Sequence, residues 1–272
     1  MDRTDATGGS NATARTHEGS SDMRIKSVEK ALEIVEALRV LDEPTTANIA
    51  SRLDYSKSSV YKHLTTLEHS GYVVRTGDLY RPSHRFFEIG NEVNQRWVDM
   101  YDPAKSALEE LADETGENTW LMVEERGEGV MICNVQGEKA LEPGYFYEGK
   151  RAQLHSSAAG KAILANLPEH RRETLIEQVE FEQFTDKTII YNEELREELA
   201  TVRETGIAIN DEETQTNIRA LGAPIFDEDG VVIGSISVSG PTSRISDEYY
   251  QEDLPRMLRE KTDIIEIQMV SR

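Results

Sequence analysis

The chain is poor in cysteine: Cys133 stands alone among 272 residues. One thiol excludes an internal disulfide and any cysteine-rich zinc site. No apolar run approaches the roughly 18 residues of a membrane span. Residues 1–22 are rich in Gly, Ser, Thr, Asn and Asp and lack an apolar stretch, so they do not read as a signal peptide. They read as a disordered tail. There is no phosphate-binding glycine loop, no dinucleotide fingerprint and no Gly-x-Ser-x-Gly elbow. The histidines show no metal-ligand spacing. No cofactor, metal or catalysis is expected, and these absences point to a soluble cytoplasmic protein.

Positive charge is also scarce. The net charge is −21, a balance that repels nucleic acid, yet it is unevenly spread. Between Arg24 and Arg85 ten cations face eight acids, a net of +2, so the other segments together carry −23. Such an acid excess resembles proteins that work in concentrated salt, where self-repulsion is screened. An ordinary acidic protein is the alternative.

Within the neutral-to-basic part lies Ser56-Lys57-Ser58-Ser59-Val60-Tyr61-Lys62-His63-Leu64-Thr65-Thr66-Leu67-Glu68-His69. Read as a helix, it puts Val60, Leu64 and Leu67 on one stripe. Ser58, Lys62 and Thr65 fall opposite, flanked by Ser59, Tyr61 and Thr66. That outer face has a cation, hydroxyls and an aromatic, but no carboxylate. Ser56 can cap the helix. A helix with this face suits a DNA major groove, where hydroxyls and Lys62 reach base edges and phosphates.

The flanks agree with that reading. A first helix is expected over 27–41, with Val28, Ala31, Leu32, Val35 and Leu38 as its apolar stripe. Glu43-Pro44 stops it. A short helix capped by Thr46 buries Ile49, Ala50 and Leu53, and Asp54 turns the chain left-handedly into the Ser56 helix. Beyond Ser70-Gly71, strands at 72–75 and 79–81 around Thr76-Gly77-Asp78 form a wing. Lys57, Arg75 and Arg81 are further candidates for phosphate contact. The alternative is a three-helix module for protein contacts.

Residues 85–100 carry Phe86, Ile89, Val93 and Trp97 at helical spacing. They read as a linker helix, paired with its copy in a dimer or packed on its own chain. The boundaries expected are thus tail 1–22, winged helix-turn-helix 23–84, linker 85–101 and a second domain 102–272. The last mixes helices (103–115, 156–167, 169–179, 192–205, 247–270) with strands (118–123, 130–135, 207–210, 218–226, 231–239). That order suggests an α+β sensor domain on an antiparallel sheet.

Four motifs resemble one family in its own order. The Ser56-Lys57-Ser58-Ser59-Val60 pattern through Gly71-Tyr72-Val73 and Leu79-Tyr80 is similar to the winged helix of IclR-type (isocitrate lyase regulator) transcription factors. The others are His155-Ser156-Ser157-Ala158-Ala159-Gly160-Lys161-Ala162, Gly206-Ile207-Ala208-Ile209-Asn210-Asp211-Glu212-Glu213, and Gly222-Ala223-Pro224-Ile225-Phe226-Asp227 leading into Ser235-Ile236-Ser237-Val238-Ser239-Gly240-Pro241. The resemblance covers residue 24 to the end. It implies a regulator with a GAF-like effector domain, working as a dimer or dimer of dimers on an operator.

The residues themselves allow a pocket. A period of two puts Ser235, Ser237 and Ser239 on one strand face, toward either water or a polar cavity. The resemblance implies the cavity, with Ser237 and Ser239 in it. Ser156 can cap the helix that follows. The small residues Ala158, Ala159 and Gly160 either admit a carboxylate to the helix's positive end or let that helix pack tightly on the sheet. The resemblance also places Asn210 and Ala220 in the pocket. The family's usual acid and cysteine are replaced there by an amide and a methyl, and its Gly by Asp54. A small organic acid, sugar or sugar acid would fit. His155 reads as a hydrogen-bonded structural histidine. The rival to a DNA-binding regulator is a metabolite sensor without DNA binding.

Overall fold

A computed structural model describes residues 24–95, 98–142, 146–245 and 249–271. The chain forms two compact units, divided between Val93 and Asn94. The expected tail, 1–22, lies outside the described residues.

The first unit packs three helices against a hairpin. Helices α1 (Lys26–Val40), α2 (Thr46–Leu53) and α3 (Lys57–His69) precede strands β1 (Val73–Thr76) and β2 (Leu79–Pro82), and α4 (Arg85–Gln95) follows. Ile34, Ala37, Leu38, Ile49, Ala50, Val60, Leu64, Val73 and Tyr80 form its core. Leu38 of the stripe expected on α1 is buried, but the stripe is corrected nearer the start of the helix: Val28 and Leu32 are exposed, and Ile34 and Ala37 are buried instead. Both sets have helical spacing, and only the α2–α3 contact selects between them. Thr45, rather than Thr46, caps α2 by accepting from the Asn48 amide at 3.2 Å. Asp54 adopts φ 53° and ψ 42°, the left-handed turn its short side chain tolerates.

In the second unit all strand pairs are antiparallel, in the order β5-β4-β3-β8-β7-β6. The strands are β3 (Asn118–Glu125), β4 (Glu128–Gln136), β5 (Arg151–Gln153), β6 (Ala208–Asp211), β7 (Ile218–Phe226) and β8 (Val232–Pro241). Helices α5 (Val98–Thr115) and α9 (Leu254–Val270) cover one face through Leu108, Leu111, Leu258 and Ile265. Helices α6 (Ala158–Asn166), α7 (Glu169–Gln178) and α8 (Asn192–Thr205) cover the other through Ile163, Ile176, Leu195 and Leu199. This is an α+β architecture with a two-sided core.

Two expected helices differ. Of the expected linker helix, residues 85–95 and 98–100 are helical. Helix α4 ends at Gln95, Trp97 lies outside the described residues, and α5 starts at Val98 and continues past Pro103. Pro103 is the sixth residue of α5, past the first turn, so its missing donor removes one bond of the helical ladder without ending the helix. Buried Met100 and Ala104 hold that turn on the sheet. The closing helix begins as a π-turn at Tyr249–Asp253 before α9, with 246–248 outside the described residues.

Candidate functional sites

Helix α3 begins where Ser56 Oγ accepts the Ser59 amide at 3.2 Å. Val60 and Leu64 anchor it in the core, with Leu67 half-buried. Lys57, Ser58, Tyr61, Lys62 and Thr65 are exposed, and Ser59 is half-buried. The outer face is already ordered. Thr65 Oγ1 donates to the Tyr61 carbonyl at 2.9 Å and Thr66 Oγ1 to that of Lys62 at 3.0 Å, leaving each oxygen able to accept. His63 Nδ1 lies 2.8 Å from the Ser59 carbonyl.

The wing is tied to the helices. Tyr80 donates its amide to the Pro44 carbonyl at 3.0 Å, and its ring is buried. Arg75 folds back over the turn. Its Nε donates to the Gly77 carbonyl at 2.8 Å, and its guanidinium carbon lies 5.4 Å from the Tyr80 ring centre. Arg81 makes a long 3.4 Å contact to Thr76 Oγ1. Both arginines are exposed, but Arg81 is freer to reach outward.

In the second unit, strand register builds a site that spacing alone cannot show. Asn118 pairs with Ser239, Ser239 with Ala220, and Ala220 with Asn210, so four strands contribute one straight row. The next row on the same face is Trp120, Ser237, Gly222 and Ala208. Helix α6 starts directly above. A Cβ on Gly222 would lie 2.8 Å from the Ala158 carbonyl and 2.9 Å from the Ala159 nitrogen, so glycine permits this approach. Ser235 Oγ donates to the Ala159 carbonyl at 2.9 Å and fastens the helix there.

The result is a cavity of about 120 Å³ lined by Ala158, Ala159, Asn210, Ala220, Ser237 and Ser239 together with Asn118, Trp120, Met131, Phe146 and Thr214. All six pocket residues expected from the sequence meet on it. Ser237 is 5% exposed, so the serine row does not face bulk water. Ser157, not Ser156, caps α6 by accepting the Gly160 amide at 3.0 Å. The amides of Ala158 and Ala159, which the helix itself cannot satisfy, remain at the wall.

Asn210 is more committed than its side chain suggests. Nδ2 donates to the Ser156 carbonyl at 2.8 Å and to Thr214 Oγ1 at 3.0 Å, while Oδ1 accepts the Glu213 amide at 2.9 Å. It braces the cavity wall, and an ionised aspartate could not make the two donations. Asn118 is the opposite case. Its Nδ2 donates to the Leu141 carbonyl at 2.7 Å, but buried Oδ1 has no partner among the described residues. Sequence reasoning missed Asn118 and Trp120, because only the β3–β8 register brings them to the serines.

Behind the wall, Lys161 is fully buried and donates to Glu198 at 2.8 Å and to Glu213 at 2.6 Å. This joins α6 to α8 and to the turn that Asn210 braces. Burial outweighs the ammonium and pushes the Glu213 carboxyl up to about 7. His155 corrects another expectation. It is buried against Phe181, yet neither ring nitrogen has a hydrogen-bond partner among the described residues. Burial, with Lys161 nearby, lowers its pKa to about 4.

Among the described residues no cluster of His, Cys, Asp and Glu could hold a metal ion, and no helix is long and apolar enough to cross a membrane. The IclR helix-turn-helix model matches residues 27–77, and the model of the C-terminal part of bacterial IclR regulators matches 96–266. A probable HTH-type regulator, ArcR, of Halobacterium salinarum is 34% identical over 249 residues, 90% of this chain and 94% of that protein. The HTH-type regulator KdgR of Escherichia coli is 34% identical over 230 residues, 84% and 87% of the two chains. The crystal structure of Thermotoga maritima IclR covers 90% of this chain and 99% of its own, with 31% identity and a TM-score of 0.74. The chain therefore belongs to the IclR family of helix-turn-helix transcriptional regulators.

Proposed function

We propose that the protein binds an operator through α3 and the wing, and that a small effector in the α6 cavity sets its affinity. Lys62, Thr65, Tyr61 and Ser58 would meet base edges and phosphates. Lys57 and Arg81 would add phosphate contacts, with Ser59 and Arg75 shaping the helix start and the wing. The outer face of α3 from Lys57 to Thr65, which has no carboxylate in a chain of net charge −21, carries this reading.

The effector is a small compound with a polar and an apolar end. The hydroxyls of Ser237 and Ser239 and the Ala158 and Ala159 amides would donate to a carboxylate or hydroxyl group. Trp120, Met131 and Phe146 would cover its carbon skeleton. Such a group of donors fits an organic acid or a sugar derivative. A ligand shifts operator affinity only by binding the two states unequally, and the coupling is reciprocal.

A homodimer or dimer of dimers is supported by exposed apolar side chains on the first unit. Ile25, Val28 and Leu32 share one side of α1 and are 52–66% exposed, and Phe87 of α4 is 70% exposed. The protein would act in the cytoplasm, where its operator lies, and carry out no catalysis. Two experiments test the reading. Gel shifts on the gene's own upstream region should show specific retardation, and none would favour a sensor without DNA. A thermal-shift screen of small acids and sugars at high salt should identify a stabilising ligand whose effect disappears in Ser237→Val.

A further inference from the structure

Beside Ala158 and Ala159 the cavity wall carries Thr214, in the turn between β6 and β7. Its hydroxyl is held in one sense. Asn210 Nδ2 donates one proton to Thr214 Oγ1 at 3.0 Å and the other to the Ser156 carbonyl at 2.8 Å. The amide cannot be turned round, because Oδ1 accepts the Glu213 N–H at 2.9 Å and the Ser156 carbonyl can only accept. Thr214 Oγ1 is therefore the acceptor in its bond to Asn210, and its own proton has to go elsewhere.

The bond from Asn210 is the hydroxyl's one hydrogen bond among the described residues, so that proton has no acceptor there. The neighbouring acids are engaged with cations: Asp211 and Glu212 hold Lys187 at 3.0 and 2.7 Å, and Glu213 holds Lys161 at 2.6 Å. Thr214 is half-buried and lines two adjoining hollows. One is the effector cavity, and the other, of about 390 Å³, shares Phe146, Ser157 and Thr214 with it. The Ser156 carbonyl, on the other arm of the Asn210 amide, directly precedes the Ser157 cap of α6. The hydroxyl thus stands at the end of the cavity where the Ala158 and Ala159 amides lie. A further donor there suits an oxygen with negative charge, to which hydrogen bonds are roughly twice as strong as between neutral groups.

Resting on the reading of this cavity as the effector site, we propose that Thr214 is a further effector-binding residue, whose hydroxyl donates to an oxygen of an anionic effector held at the start of α6.

The full chain would be titrated calorimetrically with pentanoate and with benzoate at high salt, beside Thr214→Val, Thr214→Ser and Ser237→Val. Thr214→Val keeps the side chain's shape and removes its proton. It should bind whichever acid the unmodified chain binds about tenfold more weakly. Thr214→Ser keeps the hydroxyl and should bind within about twofold of the unmodified chain. Thr214→Ala gives the same comparison should the valine variant not fold. Equal losses in Thr214→Val and Thr214→Ser would mean that Thr214 only packs, and would overturn the proposal. Lost binding in Ser237→Val with full binding in folded Thr214→Val would leave the effector site standing and overturn the role of Thr214, whose proton would then go to water in the adjoining hollow. Full binding in both variants, or no saturable binding of either acid by the unmodified chain, would overturn the effector site and the proposal with it.

Discussion

The two units place their polar chemistry in opposite ways. On α3 the groups suited to a ligand are exposed, and the core beneath them is apolar. In the second unit the suited groups are buried, held by a register across four strands and by a charged cluster behind α6. A solvated face should lose function without losing the fold. A buried site should lose both together.

The largest expected effect lies in the second unit. Lys161→Met leaves the buried Glu213 carboxylate without its cation and should cost about 3–5 kcal/mol in urea unfolding. A cost within measurement error would mean that the cluster is not structural. Gly222→Ala comes next. Its new Cβ meets backbone atoms of Ala158 and Ala159, which cannot swing aside, so about 1–3 kcal/mol of stability should go, and effector binding with it. In the first unit, Lys62→Ala and Thr65→Ala should each weaken operator binding by about 1–3 kcal/mol. Their urea midpoints should stay unchanged, which sets this face apart from the buried one.

A pH comparison sharpens the contrast further. Between pH 6.5 and about 4 the unfolded chain takes up a proton at His155 that the folded chain refuses, so stability falls as pH falls through that window. Glu213 acts in the opposite sense. Its carboxyl is protonated more readily when folded, so its contribution is present below its ordinary 4.5 and is lost as pH rises through about 7. His155→Phe removes only the first effect. Its stability relative to the unmodified protein should grow on acidification by on the order of 2 kcal/mol. A pH-independent difference in calorimetric unfolding would contradict the burial argument. The smallest effect is on salt. Base contacts and dimer formation would carry more of the binding than phosphates do, so affinity should fall less steeply with salt than for a basic relative.

The same contrast explains what the sequence revealed. The α3 face was legible because period, cap and charge are local: Ser56 to Thr65 is a single helix of three turns. The Asp54 turn was legible for the same reason. The α1 stripe was legible only at Leu38, since Val28/Leu32 and Ile34/Ala37 both have helical spacing until a partner chooses between them. The cavity residues Ala158, Ala159, Asn210, Ala220, Ser237 and Ser239 were reached through the family's motifs. Asn118 and Trp120 needed the pairing of β3 with β8, which links positions over a hundred residues apart. Likewise, His155 gives no sign in the sequence that its ring nitrogens lack partners, because that depends on what Phe181 and the helices leave around it.

The central claim is tested most directly by titrating the gene's upstream DNA with the full chain and with the doubly substituted Lys62→Ala/Thr65→Ala protein, at one fixed salt concentration. The account predicts specific retardation by the first and a loss of about tenfold or more in affinity for the second, with identical circular dichroism. Equal retardation by both proteins would contradict it.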